Sequence, residues 1–356
     1  MNIDERVQYY MGKWWNTDLV IDRRQVEKFS ETLPHWNDLT VLYNDHIFKK
    51  YHSIPYIKDF QRILNLLSIP NKNNKFIVQF GDISSHFPDL PVIMKYRTLS
   101  SSPDKMKDNS IVFKLNIFRH WLFFDDINQN DVSWDEKSSR IVWRGITTGY
   151  GENNPRYRLV RTYMDKYFIS DKFRLLKKSF FKLNRIIACI SRMIPLKLIS
   201  YFSSFLKKKC DNYLVFNIGF NEICQEQQHL SKNVKGFMSI KEQLQYKYII
   251  SIEGNDVATN LKWGLYSNSL VLMPKPSVES WLMEGKLKPY VHYVPLNDKL
   301  DNLEEIYKWC VSNDKKCKKI ASNATKYMEK FIDLEQENAI LLKILKIYCK
   351  NIKIEL

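Results

Sequence analysis

Three groups of polar residues in this sequence have the types and positions that suit chemistry on a phosphorylated substrate. The first centres on Asp82, which follows an apolar strand-like segment over residues 76–80 and a glycine. A carboxylate just past a strand end lies at the edge of a cleft, where it can act as a general base. An aspartate in this position is also a common turn or N-cap residue, so both interpretations stay open.

The second group lies where a predicted strand over residues 140–145 runs through glycines into a helix that opens at Pro155. Glycines let a backbone approach an anion, and arginines offer forked donors to phosphate oxygens. No Walker A loop and no GxGxxG motif is present, and a solvated basic turn is the alternative. The candidate anion-binding residues are Arg144, Gly145, Thr147, Thr148, Arg156 and Arg158.

The third group is a polar turn between an apolar segment over residues 248–252 and a helical pattern over residues 257–266. A helix N-terminus that follows a strand is a favourable site for phosphate, because its free N–H groups and the helix dipole attract negative charge. We therefore predict a phosphate-bearing ligand at this turn. Its candidate residues are Glu253, Gly254, Asn255, Asp256, Ala258, Thr259, Asn260 and Lys262.

The elements that would position these groups alternate between strand and helix. Apolar strand-like segments recur at residues 76–80, 92–96, 140–145, 248–252, 270–273 and 291–294, with helical patterns between several of them. Alternation of this kind predicts an α/β fold with a parallel sheet. In such sheets the carboxyl ends of the strands hold the ligand, and all three polar groups follow predicted strand ends.

Composition limits the possible partners and compartments. The chain has 356 residues, which predicts two domains, and its formal net charge of +16 favours an anionic partner such as a nucleotide, a nucleic acid or a membrane. The six cysteines include no CxxC pair, and no His/Cys cluster has metal-ligand spacing, so we expect free thiols and no structural zinc. The N-terminus has no apolar signal segment, and no uncharged run could span a bilayer, so we expect a cytoplasmic protein.

One segment is unusually basic. Residues 172–209 contain eleven Lys and Arg residues and no acidic residue, with abundant apolar side chains and a break at Pro195. Basic amphipathic helices bind anionic membrane surfaces, and we predict that this segment docks there. A helix pair with a solvated basic face and a nucleic-acid patch are the alternatives.

Taken together, three blocks of this sequence resemble glycosyltransferase family 90, the capsule-associated and lipopolysaccharide-modifying type that is related to protein O-glucosyltransferases. The first block is residues 76–96, and the second is Val142-Trp143-Arg144-Gly145-Ile146-Thr147-Thr148-Gly149 with the trailing Arg156 and Arg158. The third is residues 248–296, in which Lys288-Pro289-Tyr290-Val291-His292-Tyr293-Val294-Pro295 is the most specific match. The resemblance covers roughly residues 75–315, and its bacterial branch fits best because the eukaryotic relatives are secreted and disulfide-bonded.

The resemblance implies a GT-B architecture, in which two Rossmann-like domains face each other across a cleft and a C-terminal helix crosses back. It implies an inverting transfer from a UDP-sugar without a metal or other cofactor, with Asp82 as the general base. It implies that Thr147 and either Arg156 or Arg158 contact the nucleotide, and that the third block lines the nucleotide and diphosphate. Relatives often have an arginine where this chain has Asn260, so Lys262, Arg144 or Arg158 must supply the charge for the diphosphate.

The corresponding domain hypothesis is an acceptor domain over residues 1–138, joined by a C-terminal helix over residues 323–356. A nucleotide-sugar domain follows over residues 139–322, with the basic segment as an insertion over residues 172–210. The predicted partners are a UDP-sugar, a lipopolysaccharide or other surface glycan with a free hydroxyl, and the inner face of the cytoplasmic membrane, but no nucleic acid. The alternative function is a non-catalytic basic module that binds an anionic membrane or nucleic acid.

Overall fold

The computed structural model describes residues 1–22, 24–25, 40–42, 54–66, 75–80, 89–99, 108–115, 117, 121, 123–148, 154–164, 215–224 and 227–355. Asp82, Gly149 and the basic segment 172–209 lie outside these described residues. Predictions made for them are therefore carried forward as predictions.

Helices and strands alternate between residues 124 and 273, and runs of strands or of helices lie on either side of that region. The helices are α1 (Ile3–Met11), α2 (Ile54–Leu66), α3 (Phe124–Asn130), α4 (Pro155–Tyr163), α5 (Ile240–Gln243), α6 (Thr259–Tyr266), α7 (Leu303–Ser312), α8 (Asp314–Met328) and α9 (Leu334–Asn351). The strands are β1 (Leu19–Asp22), β2 (Thr40–Leu42), β3 (Ile77–Gln79), β4 (Ile93–Met94), β5 (Tyr96–Thr98), β6 (Ile111–Val112), β7 (Ser138–Gly145), β8 (Phe216–Phe220), β9 (Tyr246–Ile250), β10 (Leu270–Met273), β11 (Val278–Ser280), β12 (Val294–Pro295) and β13 (Ile352–Glu355).

The larger sheet has five strands in the order β12-β10-β9-β7-β8, and every neighbouring pair is parallel. Every residue of β9 and β10 is buried, as expected for a parallel sheet that is covered on both faces. Successive side chains point to opposite faces. Trp143 and Tyr248 accordingly belong to one hydrophobic cluster, whereas their neighbours Val142 and Ile249 belong to another.

The smaller sheet has four strands in the order β2-β3-β4-β6. Strand β2 is antiparallel to β3, whereas β3, β4 and β6 are mutually parallel neighbours. The side chains of Ile77 and Ile93 in this sheet share one hydrophobic cluster with Val142 and Ile249 of the larger sheet. The fold is therefore a mixed α/β fold with two sheets that are wholly or mainly parallel, as the strand and helix patterns predicted.

A segment that follows β4 of the smaller sheet meets loops of the larger sheet. Strand β5 pairs with β11 in antiparallel fashion, and within this pair Arg97 forms an ion pair with Glu279 at 2.7 Å. The backbone N–H of Leu99 donates to Ser277 O at 2.8 Å, one residue before β11. Lys95, which separates β4 from β5, forms a buried ion pair with Asp256. The chain that leaves the small sheet is thus fixed against the loops of the large one.

The C-terminal segment returns to the N-terminal elements. Helix α9 packs on α1 and α2, and β13 pairs in parallel with β1. The predicted C-terminal helix over residues 323–356 is not continuous in the structure, because α8 ends at Met328, α9 begins at Leu334 and β13 follows α9. Asp333 accounts for the restart, because its carboxylate accepts hydrogen bonds from the N–H groups of Glu335 and Gln336 and so caps α9. No helix in the described ranges is long and apolar enough to span a bilayer.

Element boundaries differ elsewhere by a few residues. Helix α6 begins at Thr259 rather than at Val257, and β9 begins at Tyr246 rather than at Tyr248. Residues 291–293, predicted to be part of a strand, form a turn that precedes the short β12. In that turn Tyr290 adopts a φ of 57°, and its N–H donates to Tyr293 O at 2.7 Å. The N–H groups of Val291 and His292 donate back to Lys288 O at 3.2 and 2.9 Å, so these residues close a turn and are not free to pair in a sheet.

Candidate active site

A cavity of about 220 Å³ lies at the carboxyl ends of β9 and β10. Its walls are the chain at residues 251–253 after β9, the start of α6, the loop of residues 273–278 after β10, and the start of α4. Glu284 and Asp298 complete the lining. Neighbouring parallel strands end at one edge of their sheet, so the topology gathers these segments where α/β sheets bind ligands.

Helix α6 starts at the wall of this cavity. Its N-cap residue, Ala258, lines the cavity and offers the first-turn N–H groups no side-chain acceptor. Asn260, in the first turn, holds the helix against the strand: its Nδ2 donates to Ile250 O at 2.8 Å, and its Oδ1 accepts from Ser251 Oγ at 3.0 Å. The positive end of the helix dipole is therefore fixed at the cavity, where it can stabilise an anion.

Two cationic side chains line the cavity, Arg158 from α4 and Lys275 from the loop after β10. Arg158 is half-buried, and its Nη2 donates to Asp298 O at 2.9 Å. The Nε atom of Arg158 is buried and has no hydrogen-bond partner within the described residues. Because a buried donor without an acceptor is unfavourable, this nitrogen is well placed for a ligand oxygen. Lys275 is exposed, so its ammonium group can turn towards the same ligand.

Arg156 lies two residues before Arg158 and donates hydrogen bonds mainly to backbone carbonyl groups. Its Nε and Nη2 donate to Glu253 O at 3.2 Å and Ile252 O at 3.0 Å, and its Nη1 donates to Ile146 O at 3.1 Å and to the Thr148 hydroxyl. The guanidinium therefore joins the chain after β7 to the chain after β9. It holds the wall of the cavity in shape and does not line the cavity itself.

Gly254 packs closely against this arrangement. A Cβ atom at this position would lie 2.6 Å from Thr148 Oγ1 and 2.8 Å from Arg156 Nη2. Distances this short are far below van der Waals contact, so any other residue here would displace the Thr148 hydroxyl or the Arg156 guanidinium from the hydrogen bonds described above. The predicted residues Thr148, Arg156 and Gly254 thus belong to one supporting cluster behind the cavity.

Arg144, Gly145 and Thr147 also contact other parts of the protein and not the cavity. Arg144 Nη1 donates to Asn217 O at 2.9 Å, and its Nη2 donates to Asn217 Oδ1 at 2.8 Å. Thr147 Oγ1 donates to Cys224 O at 2.9 Å and accepts from the Cys224 N–H at 2.8 Å. Gly145 lies beside the Trp143 ring, which a Cβ atom would approach to 2.6 Å. None of these three residues lines the cavity.

Glu253 lines the cavity, and its carboxylate binds the loop that follows β10. Its carboxylate accepts from the Ser277 N–H at 2.9 Å, from the Ser277 hydroxyl and from the Val278 N–H at 3.4 Å. Burial raises the pKa of this carboxyl group above its ordinary value, and the hydrogen bonds from Ser277 oppose that shift. Glu253 therefore positions the loop after β10 relative to the loop after β9.

The remaining predicted residues of the third group fall outside the cavity lining. Lys262 is fully buried and forms an ion pair with Glu284, with 3.2 Å between Nζ and Oε1. Asp256 pairs with Lys95, Asn255 is exposed in the turn, and Thr259 is the first residue of α6. Of the cations considered for the diphosphate, only Arg158 lines the cavity, whereas Arg144 and Lys262 are bound elsewhere.

Sequence reasoning missed Lys275, Ser277, Glu284 and Asp298, all of which line the cavity. A signal for the first of these was present, because Pro274-Lys275-Pro276 directly follows a predicted strand. No group of three His, Cys, Asp or Glu side chains in the described part of the chain could hold a metal ion together. The expectation of a metal-free reaction stays a prediction.

Comparison with known proteins places this geometry in a family. The family model for Glycosyl transferase family 90 matches residues 111–356. An O-glucosyltransferase LpsA from Dichelobacter nodosus is 30% identical over 301 residues, which is 85% of this chain and 74% of that protein. Protein O-glucosyltransferase 3 from Homo sapiens is 35% identical over 85 residues, which is 24% of this chain and 16% of that protein.

A solved structure of a glycosyltransferase from Rickettsia africae ESF-5 aligns over 98% of this chain and 94% of its own, with 12% identity and a TM-score of 0.31. That likeness is too low to compare the arrangement of the sheets. The family match covers the cavity, all five strands of the larger sheet and the C-terminal helices. On this evidence the chain is a glycosyltransferase that belongs to glycosyltransferase family 90.

Proposed function

We propose that this glycosyltransferase moves a hexose or pentose from a UDP-sugar to a hydroxyl group of a lipopolysaccharide or another surface glycan, with inversion and without a metal ion. The observation that carries the proposal is the cavity at the carboxyl ends of β9 and β10, which combines a helix N-terminus with Arg158 and Lys275. A diphosphate leaving group needs fixed positive charge, and these groups can supply it without a metal.

The acceptor hydroxyl needs a general base as it attacks the anomeric carbon, and we assign this role to Asp82. Strand β3 ends at Gln79, three residues before Asp82, and β4 is its parallel neighbour. The chain that continues from β4 reaches the cavity loop, since Leu99 donates to Ser277 O at 2.8 Å. Parallel neighbours end at the same edge, so the carboxyl end of β3, which Asp82 follows in the sequence, faces the same way as this contact, and that supports the assignment.

We also propose the GT-B arrangement with the domain limits given above. The support is that β3, β4 and β6 form one parallel set and the five strands of the larger sheet form another. The return of α9 to α1 and α2 fits the crossing C-terminal helix of that architecture. Glucose is the first sugar to test, because a relative that matches 85% of this chain is an O-glucosyltransferase.

A panel of UDP-sugars tests the proposal directly. The purified chain is incubated with UDP-glucose, UDP-galactose or UDP-xylose and a core glycolipid, and released UDP and the anomeric configuration of the product are measured. We expect transfer from one of these donors with inversion. Retention, or failure to bind UDP in a thermal-shift titration, would contradict the proposal. Family membership favours this enzyme over a non-catalytic basic module.

Turnover should survive removal of divalent metal ions. We expect full activity after treatment with EDTA, because the helix N-terminus, Arg158 and Lys275 can stabilise the departing diphosphate in place of Mn²⁺ or Mg²⁺. The measurement is the initial rate with and without EDTA, with added Mn²⁺ as the control. A rate that requires Mn²⁺ would show that this site uses a metal after all.

The peripheral membrane location on the cytoplasmic face is proposed from residues 172–209. Deleting this segment is expected to release the protein from vesicles that contain anionic lipid, because the segment carries eleven cations and no acid. Sedimentation with vesicles of phosphatidylglycerol and phosphatidylcholine, at low and high salt, measures this. A full-length protein that never sediments with the anionic vesicles would refute the docking role of the segment.

A further inference from the structure

We infer that Lys275, which lines the cavity, binds the diphosphate of the donor and stabilises it as it leaves. This inference rests on the proposed UDP-sugar activity and deepens it. Lys275 lies outside the residues that the sequence motifs selected, and it belongs to the loop that the fold brings to the cavity.

The first step is that the other candidate cations are already bound to groups of the protein. Arg144 is held by Asn217, Arg156 by backbone carbonyls and the Thr148 hydroxyl, and Lys262 by Glu284. Each already has well-formed partners that the protein would have to give up in order to release the side chain. Among the described lysines and arginines, Arg158 and Lys275 are the two that line the cavity.

The second step is the surroundings of Lys275. It lies between Pro274 and Pro276, and all three residues line the cavity. Proline fixes its own φ and also restricts the residue before it to extended conformations, so the backbone at Lys275 has little freedom. Little conformational entropy is then lost when a ligand fixes this loop.

The third step is the anchoring of the loop on both sides. Ser277 donates from its N–H and its hydroxyl to the Glu253 carboxylate, and its carbonyl oxygen accepts from the Leu99 N–H at 2.8 Å. The next residue begins β11, which is paired with β5. The backbone of Lys275 is therefore fixed relative to both α6 and the chain from the small sheet, and only its exposed side chain must be ordered on binding.

The chemistry follows from this placement. The acceptor oxygen forms a bond to the anomeric carbon while the bond from that carbon to the β-phosphate oxygen breaks. The acceptor proton passes to Asp82, and the bonding electron pair remains on the diphosphate. Negative charge therefore grows on the β-phosphate in the transition state, and the Lys275 ammonium and the Arg158 guanidinium stabilise it there.

Binding of UDP and of uridine by Lys275→Met tests the inference, with Lys275→Arg and Lys299→Met as matched variants. Lys299 is an exposed lysine next to the cavity residue Asp298 and does not line the cavity itself. We expect Lys275→Met to weaken UDP binding about tenfold or more, the loss typical of a charged hydrogen bond, and to leave uridine binding unchanged. Lys275→Arg and Lys299→Met should bind UDP as the natural protein does.

The outcomes separate this inference from the proposed function. If the natural protein transfers sugar and Lys275→Met still binds UDP equally well, Lys275 has no role at the diphosphate, whereas the proposed function stands. Equal losses for UDP and uridine would also overturn the inference, because they would show that Lys275 only shapes the loop. A natural protein that binds no UDP would instead overturn the proposed function.

Discussion

Replacing Asp82 with asparagine is expected to lower kcat by about 10²–10⁴-fold, the usual contribution of a general base. Asparagine has nearly the same size but cannot accept the proton of the acceptor hydroxyl at neutral pH. UDP affinity should change by no more than a few fold, since the proposed diphosphate contacts are Arg158, Lys275 and the N-terminus of α6, which line the cavity at the larger sheet. Initial rates and UDP titrations on the same preparation measure the two effects.

Asp89→Asn provides the matched control. Asp89 has the same side chain seven positions later, and its carboxylate is 90% exposed and 3.9 Å from Lys13 Nζ. Exposed pairs of this kind contribute little, so its kcat should equal that of the natural protein. Full activity of Asp82→Asn would remove Asp82 from the mechanism. An equal loss in both variants would indicate a general effect of charge rather than a base.

The largest expected effect on stability comes from Glu337→Gln. Glu337 lies in α9, is 3% exposed, and bridges Arg6 of α1 and Lys114 after β6, with 3.0 Å between its Oε2 and Arg6 Nη2. The amide would leave two buried cations facing a neutral group, at a cost of about 3–5 kcal/mol. Urea unfolding of the two proteins measures this difference as a lower midpoint with an unchanged slope.

The pH dependence of the free energy of unfolding shows why Glu337→Gln is less stable. It distinguishes the loss of a compensating charge from poor packing of the new amide. Burial lowers the pKa of Lys114 to about 8, although the Glu337 carboxylate opposes that shift. Without the carboxylate the pKa should fall further, whereas an unfolded lysine keeps its proton up to a pKa of about 10.4. At pH values approaching about 8 from below, the unfolded variant then binds more protons than the folded variant, so the stability of the variant should rise with pH relative to the natural protein in that range.

Glu335→Gln is the control for this prediction, because Glu335 is exposed in the first turn of the same helix. Its removal should change the free energy of unfolding by about 0.5 kcal/mol or less. A similar small change for Glu337→Gln would mean that Arg6 and Lys114 find other acceptors, and the buried ion pairs of Glu337 would then contribute little to stability.

Sequence patterns predicted the backbone around the site well. Strand β10 has the predicted limits, α4 opens at Pro155 as expected, and the strand–turn–helix–strand order over residues 247–273 is confirmed. These elements are short, strongly apolar and bounded by polar turns, so local preferences and burial point to the same structure. The family resemblance, based on three blocks of residues, is also confirmed.

The roles of individual cations were much less predictable. Arg144, Arg156 and Lys262 have the side chains that bind phosphate, and they lie near the end of β7, in the first turn of α4 and in α6. Whether a cation meets a ligand or a protein acceptor depends on which groups from distant parts of the chain come within hydrogen-bond distance. Arg144 meets Asn217, and Lys262 meets Glu284, through contacts that no local pattern encodes.

The sequence by itself determined the fold class, the family and the turns at which the cavity forms, because strand and helix patterns and contiguous motifs are properties of neighbouring residues. Only the tertiary structure decided which side chains support the backbone and which line the cavity. It directed Arg144, Arg156 and Lys262 to protein acceptors, and it brought Lys275 and Arg158 into the lining of one cavity. The physical reason is that hydrogen bonds and ion pairs extend over only about 3–4 Å. Long-range packing determines which groups approach that closely.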